Sequence, residues 1–267
     1  MSELDLAKLL PEVCALAHTA GLAIMKIYNT AFSVTQKQDD TPVTEADLTA
    51  HRIIREGLTR ITPEMPQICE ESPTADYARR AAWRYLWLID PLDGTREFIK
   101  RNGEFTVNIA LIADHAPVLG VIYVPDAHVT YFAARDLGAY KQTANAPAQP
   151  IHTRRAPAVR KIIAGSRSHA GQTLQTLLSK MGEYELIQMG SSLKSCLIAE
   201  GQADIYARFG RTSEWDTAAA QCIVEQAGGA VLDTHLKPLR YNTKGHLYNP
   251  NFIAVGDPQV EWGKYIN

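Results

Sequence analysis

The sequence predicts an α/β protein built from two lobes, and three patterns along the chain indicate this. Apolar residues recur at helical spacing over residues 4–29. Short strand-like segments separated by turn residues fill residues 105–141, which favours an antiparallel meander. Beyond residue 160, strand-like and helix-like segments alternate, as they do in α/β proteins. We therefore expect an α+β lobe over residues 1–148 and an α/β lobe over residues 149–267.

The elements of the first lobe follow from local patterns. After the first helix, a polar, turn-rich stretch over residues 36–42 leads to a second predicted helix, 44–58. The apolar run at 85–89 is typical of a buried strand, and we expect Pro91 to end it. Four further strands are predicted, at 105–113, 118–124, 128–134 and 138–141.

The second lobe begins after a stretch rich in Ala, Pro and Gln, residues 143–158, which we interpret as an exposed connection. Strands and helices are then predicted in turn: strand 160–164, helix 171–181, strand 185–189, helix 192–200, strand 203–209, helix 216–227 and strand 230–232.

Composition excludes several functional classes. The net charge of −2 provides no general attraction to nucleic acid or membranes, so an anionic substrate would need local cations or bound metal. No secretory leader and no apolar run of about 20 residues is visible. The four cysteines lack zinc-site spacing and are expected to be reduced thiols. We expect a cytoplasmic monomer or homodimer without an integral membrane segment, and leave open a loose contact with the inner face of the membrane.

The segment 90–95, which reads D-P-L-D-G-T, is the most informative motif. Carboxylates three positions apart cannot share one face of a straight strand, but a turn at the proline and glycine can point Asp90, Asp93 and the carbonyl between them into one space. Such oxygens suit Mg²⁺ or Mn²⁺. Gly94 permits close approach of a phosphate, to which the amides around Gly94 and Thr95 could donate.

Three further acidic residues could join this turn. Glu70 follows a short apolar segment, Asp216 opens a helical run, and Asp47 ends a sequence typical of a capping box. Each has an ordinary alternative, because Asp47 and Asp216 could simply cap helices and Glu70 with Glu71 could be a solvated acidic pair.

Taken in order, the acidic residue after Val43-Thr44, the Glu70-Glu71 pair, D-P-L-D-G-T and W-D-T-A-A resemble the lithium-sensitive, metal-dependent phosphatase superfamily. This superfamily includes inositol monophosphatases, fructose-1,6-bisphosphatases and 3′(2′),5′-bisphosphate nucleotidases. The resemblance covers nearly the whole chain and implies a layered αβαβα fold. It also implies two or three Mg²⁺ ions, replaceable by Mn²⁺, held by Glu70, Asp90, the Leu92 carbonyl, Asp93 and Asp216. Asp47, Thr95 and Glu70 would orient and activate the attacking water.

Segments of the second lobe resemble the bacterial nucleotidase branch of this superfamily. They are Gly165–His169, Gly190–Lys194 and Tyr206–Glu214. The implied substrate is adenosine 3′,5′-bisphosphate, a small-molecule nucleotide of sulfur metabolism, and 3′-phosphoadenylyl sulfate could fit the same pocket. The metals, with Asp93, Gly94, Thr95 and Asp216, would hold the 3′-phosphate. The other implied contacts are Ser191, Lys194 and Arg208 to the 5′-phosphate and His169 to the base.

Two features at the second lobe depart from family patterns. Inositol enzymes carry an acidic residue seven positions before the W-D aspartate, where this chain has Phe209. The nucleotidase pattern has prolines where this chain has Ala207 and Arg211.

Three alternatives to a nucleotidase remain open from the sequence. One is a phosphatase that forms an aspartyl-phosphate, whose D-x-D-G-T signature is one residue shorter than the motif here. Another is an inositol or sugar monophosphatase on the same scaffold. The third is a catalytically silent protein that binds metal and phosphate.

Overall fold

The computed structural model describes residues 4–36, 42–157, 159–166 and 172–266. The helices within these ranges are α1 Leu6–Tyr28, α2 Glu45–Ile61, α3 Tyr77–Arg80, α4 Thr95–Ile99, α5 Gln172–Met181, α6 Leu193–Ala199, α7 Glu214–Gln226 and α8 Gly263–Ile266. The strands are β1 Val34–Gln36, β2 Pro42–Thr44, β3 Gln67–Cys69, β4 Tyr85–Asp93, β5 Thr106–Ala113, β6 Ala116–Val124, β7 Val129–Ala134, β8 Gly138–Thr143, β9 Gln149–Pro150, β10 Lys161–Gly165, β11 Tyr184–Gln188, β12 Ile205–Arg208, β13 Ala230–Asp233 and β14 Phe252–Val255.

The first large sheet has seven strands in the order β3-β4-β5-β6-β7-β8-β9. Strands β5 to β8 form the predicted antiparallel meander, whereas β3 pairs parallel to β4. Side chains alternate across β4, so that Trp87 and Ile89 pack towards α1 and α2 while Leu86 and Leu88 join the core on the opposite face.

A second sheet and two further helical layers complete an αβαβα sandwich, as expected. Helices α6 and α7 lie between the sheets, and α7 comes so close to β6 that a Cβ at Gly120 would lie 2.4 Å from the Ala219 carbonyl oxygen. The second sheet has the order β11-β10-β12-β14-β13. Its outer face packs against α5 and α8 through a cluster that includes Ile163, Leu177 and Trp262.

Two expectations about the strands need correction. Pro91 does not end β4, which continues to Asp93 through a register shift between Asp90 and Asp93. Beyond Ile89, β4 pairs with β5 alone among the described residues, so the missing N–H of the proline costs no bond to β3. Strand β14, which was not predicted, lies antiparallel between β12 and β13 and makes this sheet mixed.

Helix α1 is long and apolar enough to cross a membrane by length and composition. The sequence did not indicate this, because polar residues interrupt the apolar ones along the helix. Here its inner face is buried through Val13, Ala17 and Ile24, in the core that it shares with α2 and the first sheet. This packing is typical of a core helix. The division into two lobes stays a prediction, since one core cluster contains residues of both, such as Leu88 and Ile223.

Candidate active site

Three carboxylates from distant parts of the chain meet where the first sheet faces α7. Glu70 follows β3 and its amide donates to the Ile89 carbonyl at 3.1 Å. Asp90 lies in β4, and Asp216 lies in the first turn of α7. One carboxylate oxygen from each lies within 4.8 Å of the others. The sheet and the helix start therefore bring together three of the predicted metal ligands.

The electrostatics of this cluster favour a bound cation. Burial raises the pKa of Asp90 well above its ordinary value, and the charges of Glu70, Asp93 and Asp216 raise it further. Burial and the charge of Asp93 likewise raise the pKa of Asp216 well above its ordinary value. Adjacent carboxylates stay ionised most readily when a cation neutralises them. Because every donor is a carboxylate oxygen, the cluster fits a hard divalent cation.

Asp93 is held by two serines that lie about 100 positions later in the chain. Its Oδ2 accepts bonds from the Ser191 hydroxyl at 2.6 Å, the Ser192 amide at 2.7 Å and the Ser192 hydroxyl at 2.7 Å. Asn108 donates to the Ser192 hydroxyl oxygen at 2.9 Å. These contacts fix the orientation of Asp93 beside the cluster. The sequence indicated only that Ser192 begins a helix, and its contact with Asp93 was not predicted.

Asp47 and Thr95 form a second polar unit. Asp47 is 1% exposed, and its Oδ2 accepts from the Thr44 amide and hydroxyl at 2.8 and 2.7 Å, as a capping residue would. Its other oxygen accepts from the Thr95 hydroxyl at 3.1 Å, and the same hydroxyl lies 3.4 Å from the Leu92 carbonyl. Asp47 thus caps helix α2, as the ordinary alternative expected, and it also contacts Thr95, the residue with which it was expected to act on a water molecule.

A glycine makes the turn beside these residues possible. Gly94 has φ +92°, and a Cβ there would lie 3.0 Å from the Glu104 carbonyl oxygen and 3.3 Å from the Ser191 Cβ. Both the left-handed backbone and the close approach exclude a larger residue without strain.

A cavity of about 160 Å³ opens beside Asp93 and Asp216. Of the predicted substrate contacts, Asp93, Gly94, Ser191, Lys194, Arg208 and Asp216 line it. His169 lies outside the described residues. Arg96, Glu97 and Arg211 also line the cavity and were not predicted, since nothing in their spacing relates them to the acidic motifs.

Lys194 is almost fully buried in the cavity wall. Its ammonium donates to the Ser191 carbonyl at 2.6 Å and to the Met189 carbonyl at 3.3 Å, and it lies 5.2 Å from the centre of the Tyr206 ring. Burial lowers the pKa of Lys194 to about 8. In this structure the Ser191 hydroxyl bonds to Asp93 and, at 2.7 Å, to Thr106. Ser191 and Lys194, which were predicted to contact a phosphate, therefore also bond to other residues of the cavity wall.

Arg208 lines the cavity, and its Nε is buried. Its Nη2 donates to the Arg211 carbonyl at 3.3 Å, but its Nε has no bond among the described residues. An unsatisfied buried donor costs about 1–3 kcal/mol, which a bound anion would recover. Phe209 points the other way, because side chains alternate along β12, and it packs towards the outer cluster.

The fold and this arrangement of carboxylates define a class of phosphatase. A model of the inositol monophosphatase family matches residues 5–259, and the chain belongs to this family.

Relatives within the family carry a more particular name. The chain is 48% identical to the 3′(2′),5′-bisphosphate nucleotidase CysQ of Salmonella typhimurium over 91% of this chain and 98% of that protein. It is 46% identical to the CysQ of Escherichia coli K12 over the same shares. The crystal structure of CysQ from Bacteroides thetaiotaomicron matches with a TM-score of 0.84 and 41% identity, covering 95% of this chain and 99% of that one. The SuhB structure from Bartonella henselae, at 24% identity and a TM-score of 0.81, shares the fold over 97% and 98% of the two chains.

Proposed function

We propose that this protein is a 3′(2′),5′-bisphosphate nucleotidase that removes the 3′-phosphate of adenosine 3′,5′-bisphosphate, giving AMP and phosphate. The observation that carries the proposal is the convergence of Glu70, Asp90 and Asp216 within 4.8 Å, beside a cavity whose wall contains Lys194 and Arg208. The names of the CysQ relatives support the choice of substrate. 3′-Phosphoadenylyl sulfate, which has the same 3′-phosphate, is a second candidate substrate of sulfur metabolism.

The proposed cofactor is Mg²⁺, with Mn²⁺ able to replace it, held by Glu70, Asp90, the Leu92 carbonyl, Asp93 and Asp216. When bound, such cations neutralise the charge on a phosphoryl group and lower the pKa of an attacking water. The residues of the chain contribute by holding the metal ligands in place and by shaping the cavity. Ser191 and Ser192 hold Asp93 in a single orientation, and Gly94 makes the tight turn beside Asp93 possible and lines the cavity.

Proton handling falls to Asp47, Thr95 and Glu70. The Thr95 hydroxyl donates to Asp47 and keeps a lone pair for a water molecule, so as it takes a proton from that water it can pass its own proton to Asp47. An Asp47 carboxylate would increase the basicity of that oxygen, and Glu70 is proposed as a second proton acceptor. A positioned acid–base pair of this kind contributes about 10²–10⁴ in rate.

The second phosphate is proposed to bind between Arg208 and Lys194. The unpartnered Nε of Arg208 can donate to a phosphate oxygen. An ammonium has three donors, and the described bonds of Lys194 go to two carbonyls, so the third can point to the ligand. A monophosphate lacks the group that would meet both cations, and this favours a bisphosphate substrate.

The cytoplasm is the proposed compartment. None of the four cysteines, all within the described residues, forms a disulfide, as expected in a reducing environment. The monomer or homodimer stays a prediction.

A substrate panel tests the proposal directly. Phosphate release is measured from adenosine 3′,5′-bisphosphate, AMP and inositol 1-phosphate, in EDTA and in millimolar Mg²⁺. We expect Mg²⁺-dependent turnover of the bisphosphate and much slower turnover of the other two. Asp114→Asn, a change of the same chemistry at an exposed surface pair with Arg84, serves as control for Asp→Asn variants of the site.

The panel also separates the alternatives. Preference for inositol 1-phosphate would establish the inositol-type activity, and inactivity on every substrate in Mg²⁺ would favour the silent binding protein. A trapped phosphoenzyme would point to aspartyl-phosphate chemistry.

A further inference from the structure

Arg211 forms a stacked group with two aromatic residues at the cavity rim. Its guanidinium carbon lies 3.8 Å from the centre of the Tyr248 ring and the guanidinium donates to the Tyr248 hydroxyl. The Tyr248 ring is in turn stacked on His246, with centroids 5.7 Å apart and planes inclined by 25°. All three side chains are exposed. Arg211 stands where the nucleotidase pattern has a proline, so the pattern does not explain this group.

Backbone hydrogen bonds connect the segment of the stacked group to the segment of the acidic cluster. Ser213 and Tyr248 form an antiparallel bridge, and the Glu214 amide donates to the Leu247 carbonyl at 2.8 Å. The Ser213 amide donates to Asp216 Oδ2 at 2.8 Å. The position of Tyr248 relative to Asp216 is therefore set by main-chain contacts.

Arg211 contacts both the Tyr248 ring and the cavity. It lines the same cavity as Asp93, Asp216 and Arg208, whereas Tyr248 and His246 line another depression with Trp215. A planar guanidinium has two faces, so one face of Arg211 can pack on Tyr248 while the other meets a planar group in the cavity.

We propose that the free face of Arg211 stacks on the nucleobase of the substrate and makes Arg211 a specificity-determining residue. This inference rests on the proposed function and deepens it, because it assigns the base a site that the phosphate contacts do not provide. The two phosphates would be held by the metal cluster and by Arg208. The base would lie at the rim, between solvent and the guanidinium.

Physical chemistry favours this arrangement. Guanidinium groups are planar and weakly hydrated, and they stack on aromatic faces and on bases, which an ammonium cannot do. Tyr248 holds the plane of Arg211 before the ligand arrives, so less side-chain freedom is lost on binding. Stacking of a base is worth about 1–3 kcal/mol by alanine substitution, or about 5- to 150-fold in kcat/KM.

The test compares adenosine 3′,5′-bisphosphate with its abasic analogue, in which hydrogen replaces adenine at C1′. The quantity measured is the ratio of kcat/KM for the nucleotide to that for the analogue. We expect a ratio of about 10 or more for the unmodified protein, based on the value of stacking. Arg211→Ala should bring the ratio close to 1. Arg211→Lys should do the same, although it keeps the charge, and Tyr248→Leu should lower the ratio partway.

Several results would overturn the inference. They are an unmodified protein with a ratio near 1, an Arg211→Ala variant with an unchanged ratio, and an Arg211→Lys variant that retains the full ratio, which would assign Arg211 a purely electrostatic role. Calorimetric binding of the same two ligands gives the ratio independently of turnover. A protein that hydrolyses neither ligand would thus refute the proposed function, while the binding ratio still decides whether Arg211 stacks on the base.

Discussion

Replacing Asp90 by Asn should make the cation-free protein more stable while abolishing its response to Mg²⁺. Asp90 is buried with Glu70 and Asp216 within 4.8 Å. Two ionised carboxylates at that distance repel by about 3.5 kcal/mol at an effective dielectric constant of about 20. The amide is nearly isosteric, and its oxygen can still accept the Leu92 amide, which lies 3.1 Å from the carboxylate oxygen.

The gain will be smaller than the full repulsion, because the raised pKa values of Asp90 and Asp216 favour proton binding, which relieves part of the repulsion. We expect a net stabilisation of about 2 kcal/mol in EDTA, or about 4–8 °C in Tm for a chain of this size. Addition of Mg²⁺ at about 100 times its Kd should stabilise the unmodified protein by about 2.7 kcal/mol. The variant should gain little and should lose turnover.

The pH dependence has a definite sign. A carboxyl group whose pKa is raised in the folded state binds protons more readily there than in the unfolded chain, so the folded state loses stability as pH rises through that pKa. The cation-free protein should therefore become more stable as pH falls through the raised pKa values of Asp90 and Asp216. Asp90→Asn should weaken this dependence.

Thermal denaturation by circular dichroism, in EDTA and in Mg²⁺ over a pH series, measures all of these effects. Asp114→Asn is the matched control and should leave both the EDTA and the Mg²⁺ values unchanged. An Asp90→Asn variant that is less stable than the unmodified protein in EDTA would refute the electrostatic reasoning. So would a variant whose Tm still rises normally with Mg²⁺.

Four further predictions follow from other contacts. Asp93→Asn should abolish phosphate release while circular dichroism shows an intact fold. A normal rate would exclude Asp93 as a metal ligand. Thr95→Val should lower kcat by about 10²-fold or more with little change in KM, whereas Thr95→Ser should recover most of the rate; equal losses would argue against a role for the hydroxyl. Lys194→Ala should raise KM for the bisphosphate and spare AMP, and since the pKa of Lys194 is about 8, KM of the unmodified protein should rise above pH 8 in steady-state assays. Gly120→Ala should destabilise by about 1–3 kcal/mol in urea denaturation, because the added Cβ would meet the Ala219 carbonyl at 2.4 Å.

Much of the architecture was predictable because it depends on local periodicity. Helices α1 and α2 and the meander β5 to β8 were predicted nearly at their observed bounds. Strand β14 was missed because its four residues, Phe252–Val255, carry too short a pattern, and its place between β12 and β13 depends on pairing with residues far away in the chain. The place of Pro91 inside β4 likewise depends on pairing between distant strands. The proline is tolerated because β4 pairs with β5 alone beyond Ile89, among the described residues.

The residues able to bind a cation could be identified from the sequence, because the order of Asp47, Glu70, the 90–95 turn and Asp216 is a property of the chain. Three features became known from the folded structure: Glu70, Asp90 and Asp216 share one space, Ser192 orients Asp93, and Arg211 packs on Tyr248 at the cavity rim. The physical reason is that covalent order limits which groups are available, whereas distances between groups far apart in the chain depend on how sheets and helices pack around a common core.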